Sequence, residues 1–439
     1  MMSSSSGSSS SYTDGDSYTD GSDSDSGGES PQTSSENESS SSSMGRSSSD
    51  SESGTRAVGG TSPTGVCNPW DRVPEESWIR ALPILQTDGV TMLLPCAGLD
   101  GPGRALRSMG IQHRLAGLWE TNQKLMPFLR KMYHGQGAKM HVGDAGDVTQ
   151  IKPKDVPLAT GLVAGPPCQW VSTIGSQMIW ADPRSAVFVH LIEWCASLAH
   201  RGLKFFVLEN VFGLSMRRRG TKRSPLDIIL KKLKKKLPRA WVVNVWVCNS
   251  WSVAQSRKRI YIMGHVGADL TPQPNLPRAS LARLLCNGLP NVRDSELCES
   301  RRLKLRKYME LLKPHLESSK LKGTVACFSA DRNPQKSKFA QIRLDDASPC
   351  LKSNCPYFVV SLGEGGGKSP SIYRFLHPAE LCLLQGISPR SVPQSIRVSV
   401  LKRALGNAMS VPVVGAVLNA VMCASLDCGQ VRVAKRKRG

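Results

Sequence analysis

From residue 90 onward, short apolar runs rich in β-branched residues alternate with longer stretches of helical spacing, and this alternation restricts the possible fold more than any other feature. The runs predict strands near Val90 to Leu94, Leu115 to Trp119, Gly161 to Ala164, Lys204 to Leu208, Ala240 to Val247 and Arg259 to Met263. Helices are predicted at Gly103 to Met109, Thr121 to Tyr133, Pro183 to Ala199 and Pro225 to Leu237. Connections of that length cross over between parallel strands, so an α/β fold with an open parallel sheet is expected. Ligands of such sheets bind at the carboxyl ends of the strands, and functional residues are expected directly after them.

The opening of the chain is different. Residues 1 to 66 are dominated by Ser and Gly and lack the apolar surface needed to offset their ordering entropy, so a disordered acidic tail is expected there. That tail holds ten acidic residues against Arg46 and Arg56, a net of −8, which leaves +30 for the rest of a chain whose formal total is +22. A charge of that size suits a polyanionic partner, nucleic acid being the commonest, although ribosomal and membrane-surface proteins share it. No run of about 18 apolar residues and no signal-peptide core is present, which predicts a soluble intracellular protein that does not enter a membrane. The 13 cysteines are odd in number and form no Cys-x-x-Cys pair, an argument against both a disulfide scaffold and structural zinc. The basic tail, 426 to 439, carries Arg432, Lys435, Arg436, Lys437 and Arg438. It has the composition of a nuclear import signal, from which nuclear localisation is expected, and equally that of a solvated tail.

Three segments put chemistry at strand ends. Cys168, in Gly165-Pro166-Pro167-Cys168-Gln169, follows Leu162-Val163-Ala164, and two prolines hold it on a stiff loop, which disfavours a merely buried thiol. Glu209-Asn210-Val211 follows Phe205-Phe206-Val207-Leu208 and brings a carboxylate to the same edge, where a solvated or capping role is the plainer reading. In Gln255-x-Arg257-x-Arg259, alternation sets both arginines on one face of a strand.

Together and in this order these segments resemble the motifs of the cytosine-C5 DNA methyltransferase family, dependent on S-adenosylmethionine. The resemblance continues through Arg374-Phe375-Leu376-His377-Pro378-Ala379-Glu380, Leu384-Gln385-Gly386 and Gly406-Asn407-Ala408-Met409-Ser410-Val411-Pro412, and spans about residues 90 to 422. It implies that Cys168 adds as a thiolate to cytosine C6, making C5 able to accept a methyl group. Glu209 would hold N3 and the exocyclic amine, Arg259 the ring oxygen, and Arg257 would support the Cys loop while both arginines raise the thiolate fraction of Cys168. The target base must be flipped out of a duplex, and Gln169, Trp170 and Ser172 are expected on the loop that closes over it.

For the cofactor, Ala97-Gly98-Leu99-Asp100-Gly101 resembles the family's first motif, with Leu94 and Cys96 where relatives usually have an Asp and an aromatic residue and Asp100 in place of a glycine. By the same resemblance Glu120 fits the ribose hydroxyls, Asp147 the adenine with Asp144 as a competing choice, and Asn407 belongs to the cofactor-binding set. No metal is expected.

The resemblance implies a Rossmann-like methyltransferase sheet with a small inserted target recognition domain. The boundaries are 67 to 264 for the catalytic and cofactor-binding domain, 265 to 373 for the recognition region and 374 to 425 for a segment completing the catalytic domain. The recognition region shows no readable alternation, and a Thr-Leu pair common in relatives stands here as Cys350-Leu351. The basic clusters Arg217 to Arg219, Lys222, Arg223 and Lys231 to Lys236 either follow a phosphate backbone, with steep salt dependence, or form a solvated helix face. The implied activity is DNA (cytosine-5-)-methyltransferase. A family member acting on transfer RNA and an inactive relative that only binds nucleic acid remain as alternatives.

Overall fold

The computed structural model describes residues 68–426 apart from 84, 86, 172–183, 218–219, 338–341, 354–355 and 365–368. The predicted acidic tail, 1 to 66, and all of the predicted basic tail, 426 to 439, except Leu426 therefore lie outside the described residues, as does the start of the helix predicted from Pro183.

Seven strands form the first sheet: β1 (Val90–Pro95), β2 (His113–Glu120), β3 (Met140–Val142), β4 (Gly161–Ala164), β5 (Phe205–Val211), β6 (Val242–Asn249) and β7 (Lys258–His265). Their order is β3-β2-β1-β4-β5-β7-β6. The central strands β1, β4 and β5 are covered on both faces, which is why they read as nearly unbroken apolar runs. One face packs against α1 (Gly101–Ser108), α2 (Met126–Met132) and α9 (Val411–Ser425), the other against α3 (Ser185–Ala199) and α4 (Pro225–Lys236). Helix α2 begins later than predicted, after a 3-10 turn at Gln123–Leu125.

The expectation of a wholly parallel sheet is corrected at β7, which pairs antiparallel with both β5 and β6. Residues 250–257 are too few for a helical crossover, so the chain turns back and inserts β7 between its neighbours. Its amino end consequently sits at the carboxyl edge of β5, with Val211 opposite Arg259. Chain direction, rather than strand position, delivers the arginines to the functional edge.

Residues 264–373, which carry no readable alternation, form a second sheet. It is built from β8 (Val325–Ser329), β9 (Ile342–Arg343), β10 (Tyr357–Ser361) and β11 (Tyr373–Phe375), in the order β11-β10-β8-β9, all antiparallel. After the one-turn α5 (Leu281–Leu284), helix α6 (Glu299–Leu316) covers one face through Leu305, Tyr308 and Leu312, and Tyr308 stacks on Phe328 at 4.0 Å. The other face joins the main core through Val325, Cys327 and Val359.

Beyond it lie α7 (Pro378–Leu383), α8 (Val398–Asn407) and α9. Arg374 on β11 and Glu380 on α7 form a buried two-pronged ion pair at 2.9 and 2.8 Å. Glu380 also accepts from the backbone N–H groups of Cys286 and His377. Among the described residues no single helix is long and apolar enough to cross a membrane, and the apolar α9 is almost wholly buried in the core.

Helix α4 starts with a capping box, Ser224 with Asp227, and with Pro225 in its first turn. Ile229 and Leu233 face the core, while Lys231, Lys234, Lys235 and Lys236 are exposed, three of them in the last turn where they complement the helix dipole. Lys236 pairs with Glu193 at 2.9 Å.

Candidate active site

The turn after β1 is shaped by backbone conformation. Cys96, Gly98 and Asp100 all have positive φ, and no heavy atom lies within 4 Å of where a Gly98 side chain would begin, so the backbone there is open to a ligand. Ala97 N–H donates to the Trp119 carbonyl, which ties the turn to β2. Asp100 is fully buried and faces inward. It caps α1 by accepting from Gly103 N–H and also accepts from Tyr133 (2.7 Å) and Arg107 (2.9 Å), so the carboxylate in place of a glycine holds the turn together.

Glu120, at the end of β2, accepts from Gly98 N–H and Asn122 N–H, each at 2.8 Å, and so sits directly under the turn. Gly146 packs against the Glu120 backbone so closely that a side chain there would meet its carbonyl, which brings the neighbouring Asp147 to the same place. Burial, and then the charges of Glu120 and Asp147, push the Cys96 thiol up. Asp144, the competing choice, is exposed and enters no such group. An open glycine backbone flanked by two carboxylates suits a ligand carrying hydroxyls and a positive charge, so these residues fit S-adenosylmethionine. The half-buried Cys96 offers no aromatic platform.

Cys168 lies on the loop after β4, half-buried. Trp170 donates to the Pro167 carbonyl at 2.7 Å, and Asn210 to the Pro166 carbonyl at 3.3 Å. These two side chains set the loop. Trp170 is a fully buried anchor packed on Phe188, its indole N–H satisfied within the loop. Asn210, the neighbour of Glu209, supports the Cys loop through the Pro166 carbonyl. Gln169 is exposed, and Ser172 lies outside the described residues.

Glu209 belongs to β5 itself, paired with Tyr261, because the strand runs on to Val211. It is 7% exposed, and its Oε1 lies 3.2 Å from Arg259 Nε without hydrogen-bond alignment, leaving a buried oxygen with no donor. Burial pushes this carboxyl up, against the pull of Arg259 and Arg257. Burial likewise raises the Cys168 thiol; Arg259 and Arg257 lower it and Glu209 raises it further. Arg259 and Arg257 thus act on the thiol in the expected direction, while removing the sulfur from water outweighs them.

Arg257 is directed at the C-terminal motifs, donating to the carbonyls of Leu351, Gly406 and Ala408 at 3.2, 3.1 and 2.8 Å. Asn407 is exposed at the end of α8 and accepts from Ser353 at 3.3 Å. The contact with the cofactor turn is made by Met409: a Cβ on Gly101 would lie 3.1 Å from Met409 Cβ, and one on Gly165 would lie 2.9 Å from Met409 Cε. Met409 thereby sits between the glycine turn and the Cys168 loop. Only its place in the Gly406 to Pro412 segment could have signalled this.

A thiol and a carboxyl group sharing one guanidinium, set on the same sheet edge as a glycine turn answered by carboxylates, is the arrangement of a Rossmann-like methyltransferase fold. The chain belongs to the C-5 cytosine-specific DNA methylase family, whose model matches residues 95–423. It is similar to the orphan methyltransferase M.SPRI of Bacillus phage SPR, 28% identical over 170 residues, 38% of this chain and 36% of that protein. It is similar also to the type II methyltransferase M.HaeII of Haemophilus aegyptius, 30% identical over 172 residues, 38% of this chain and 48% of that protein. The chain thus spans less than half the length of these curated relatives. In fold it is like the Entamoeba histolytica methyltransferase EhMeth, with a TM-score of 0.50 and 17% identity over 77% of this chain and 99% of that one.

Proposed function

We propose that this protein is a DNA (cytosine-5-)-methyltransferase that uses S-adenosylmethionine and acts on a base flipped out of the duplex. The observation that carries the reading is the convergence of Cys168, Glu209 and Arg259, with Glu209 buried and one of its oxygens left without a donor. A buried polar atom of that kind is costly unless a ligand completes it, and the N3 and amine edge of cytosine does so.

In this reading Cys168 loses its proton and adds through sulfur to C6. Electron density moves onto N3, where Glu209, whose carboxyl burial pushes up, donates when protonated. Arg259 contacts the ring oxygen and balances the charge of the adduct. Gly98, Glu120 and Asp147 would hold S-adenosylmethionine, which when bound supplies an electrophilic methyl group. A proton then leaves C5 and the sulfur leaves C6, restoring the ring and the free thiol. The exposed lysines of α4 supply phosphate contacts, and the basic run from Arg432 to Arg438 supports nuclear import within the same reading.

Methyl transfer from labelled cofactor to DNA and to total RNA, run side by side, tests the proposal: label on cytosine C5 of DNA is expected. Label on RNA alone would move the protein to the other substrate, and label on neither would leave only nucleic-acid binding. Cofactor binding is tested separately by calorimetry. Glu120→Ala is expected to weaken it about 10- to 100-fold, as for loss of hydrogen bonds to a charged group. Absence of binding to the unaltered protein at millimolar cofactor, with nucleic acid present, would remove the enzyme reading.

A further inference from the structure

The Cys350 sulfur lies 3.7 Å from Arg257 Nη1 and 3.7 Å from Arg259 Nη2. The Arg257 guanidinium is buried and that of Arg259 half-buried, and neither has another thiol as a hydrogen-bond partner among the described residues. Arg259 thus touches two groups able to carry negative charge, Glu209 through Nε and Cys350 through Nη2, and acts electrostatically on a third, Cys168. The Cys350 segment is itself pinned. Tyr357 donates to the Cys350 carbonyl at 2.8 Å, and Leu351 N–H donates to Gln255.

We propose that Cys350 is a positioning residue of this pocket: its sulfur, accepting from Arg257 and Arg259 together, fixes Arg259 between Glu209 and Cys168 and draws off part of the charge that Arg259 would otherwise direct at both. The proposal rests on the methyltransferase reading for its consequence, though not for its chemistry. Burial opposes ionisation of Cys350, yet Arg257 and Arg259 bring the thiol below its ordinary value. When protonated, its S–H is placed to donate to the Leu351 carbonyl at 3.6 Å. Tyr261 also faces these arginines and Glu209, and burial raises its phenol well above the ordinary value.

The sign of the effect follows. Removing the sulfur that accepts from Arg257 and Arg259 leaves more of their positive charge directed at Glu209 and Cys168. That favours the Glu209 carboxylate and the Cys168 thiolate, so both pKa values fall. The reaction needs Cys168 ionised and Glu209 protonated, so the whole bell-shaped pH profile of kcat/KM moves to lower pH. Cys350→Ser, which keeps the size and the acceptor but not the acidity, is expected to shift it by about one pH unit. A residue that only packs would lower the rate and leave the profile in place.

A second measurement needs no activity. Iodoacetamide labelling of the unaltered protein across pH, read by mass spectrometry on the tryptic peptide from Leu344 to Lys352, gives the ionisation midpoint of Cys350. The exposed Cys298 in the same digest serves as reference. A Cys350 midpoint below that of Cys298 supports the proposal, and one at or above it overturns it. An unmoved pH profile in folded Cys350→Ser also overturns it. Should no nucleic acid be methylated, the functional reading falls while the labelling still decides the state of Cys350.

Discussion

DNA containing 5-fluorocytosine is expected to stay attached to this protein in a denaturant-resistant complex that requires both S-adenosylmethionine and the Cys168 thiol. After sulfur has added at C6 and C5 has been methylated, the ring is restored only if a group leaves C5 without its bonding electrons. A proton does so and fluorine does not, so the C6–S bond persists. Cys168→Ser should abolish the complex, since a hydroxyl in this half-buried position is a far poorer nucleophile. Glu209→Gln should slow its formation about 10²- to 10⁴-fold, the amide having no acidic proton for N3. Gel retention after boiling in detergent measures both. A complex with fluorinated RNA and not with DNA would keep the mechanism and discard the substrate; none with either would reduce Cys168 to a structural thiol.

The second large effect concerns stability. Arg374→Met should cost about 3–5 kcal/mol, because it leaves the Glu380 charge buried without its partner. The two side chains are 5% and 1% exposed, and the carboxylate also organises the backbone at Cys286 and His377. A paired change, Arg374→Met with Glu380→Leu, should recover much of the loss, since removing both charges also removes the desolvation penalty. Urea unfolding of the three variants measures this. A single variant within about 1 kcal/mol of the parent would show that water reaches the pair.

These two motifs illustrate what a sequence conveys. The loop around Cys168 is legible because two prolines beside a four-residue apolar run leave the chain few conformations. Glu209 is legible as a neighbour of that edge, although its strand runs further than the apolar residues do, because β7 supplies hydrogen-bond partners as far as Val211. The reversal of β7 is not legible, as an apolar run carries no direction. The contact of Trp170 is illegible for a related reason: an indole beside Cys168 has the same spelling whether its N–H meets a base or the Pro167 carbonyl. The second sheet is not legible: its strands follow one another without regular spacing, and Ile342–Arg343 is too short to show any period. The roles of Asn210, Met409 and Cys350 depend on contacts between distant segments, and only the folded chain supplies those.

Helix α9 has a consequence for how the chain is made. It lies against α1, β5 and β7, in the middle of the core whose first strand is β1. Synthesis begins at the other end, so the face of the sheet that α9 covers has no lid until residues 411–425 have left the ribosome. Folding of this core is therefore expected to wait for those residues, and the nascent chain before that point, with Leu106, Val207 and Met263 still uncovered, is a natural client for chaperones that hold apolar surface.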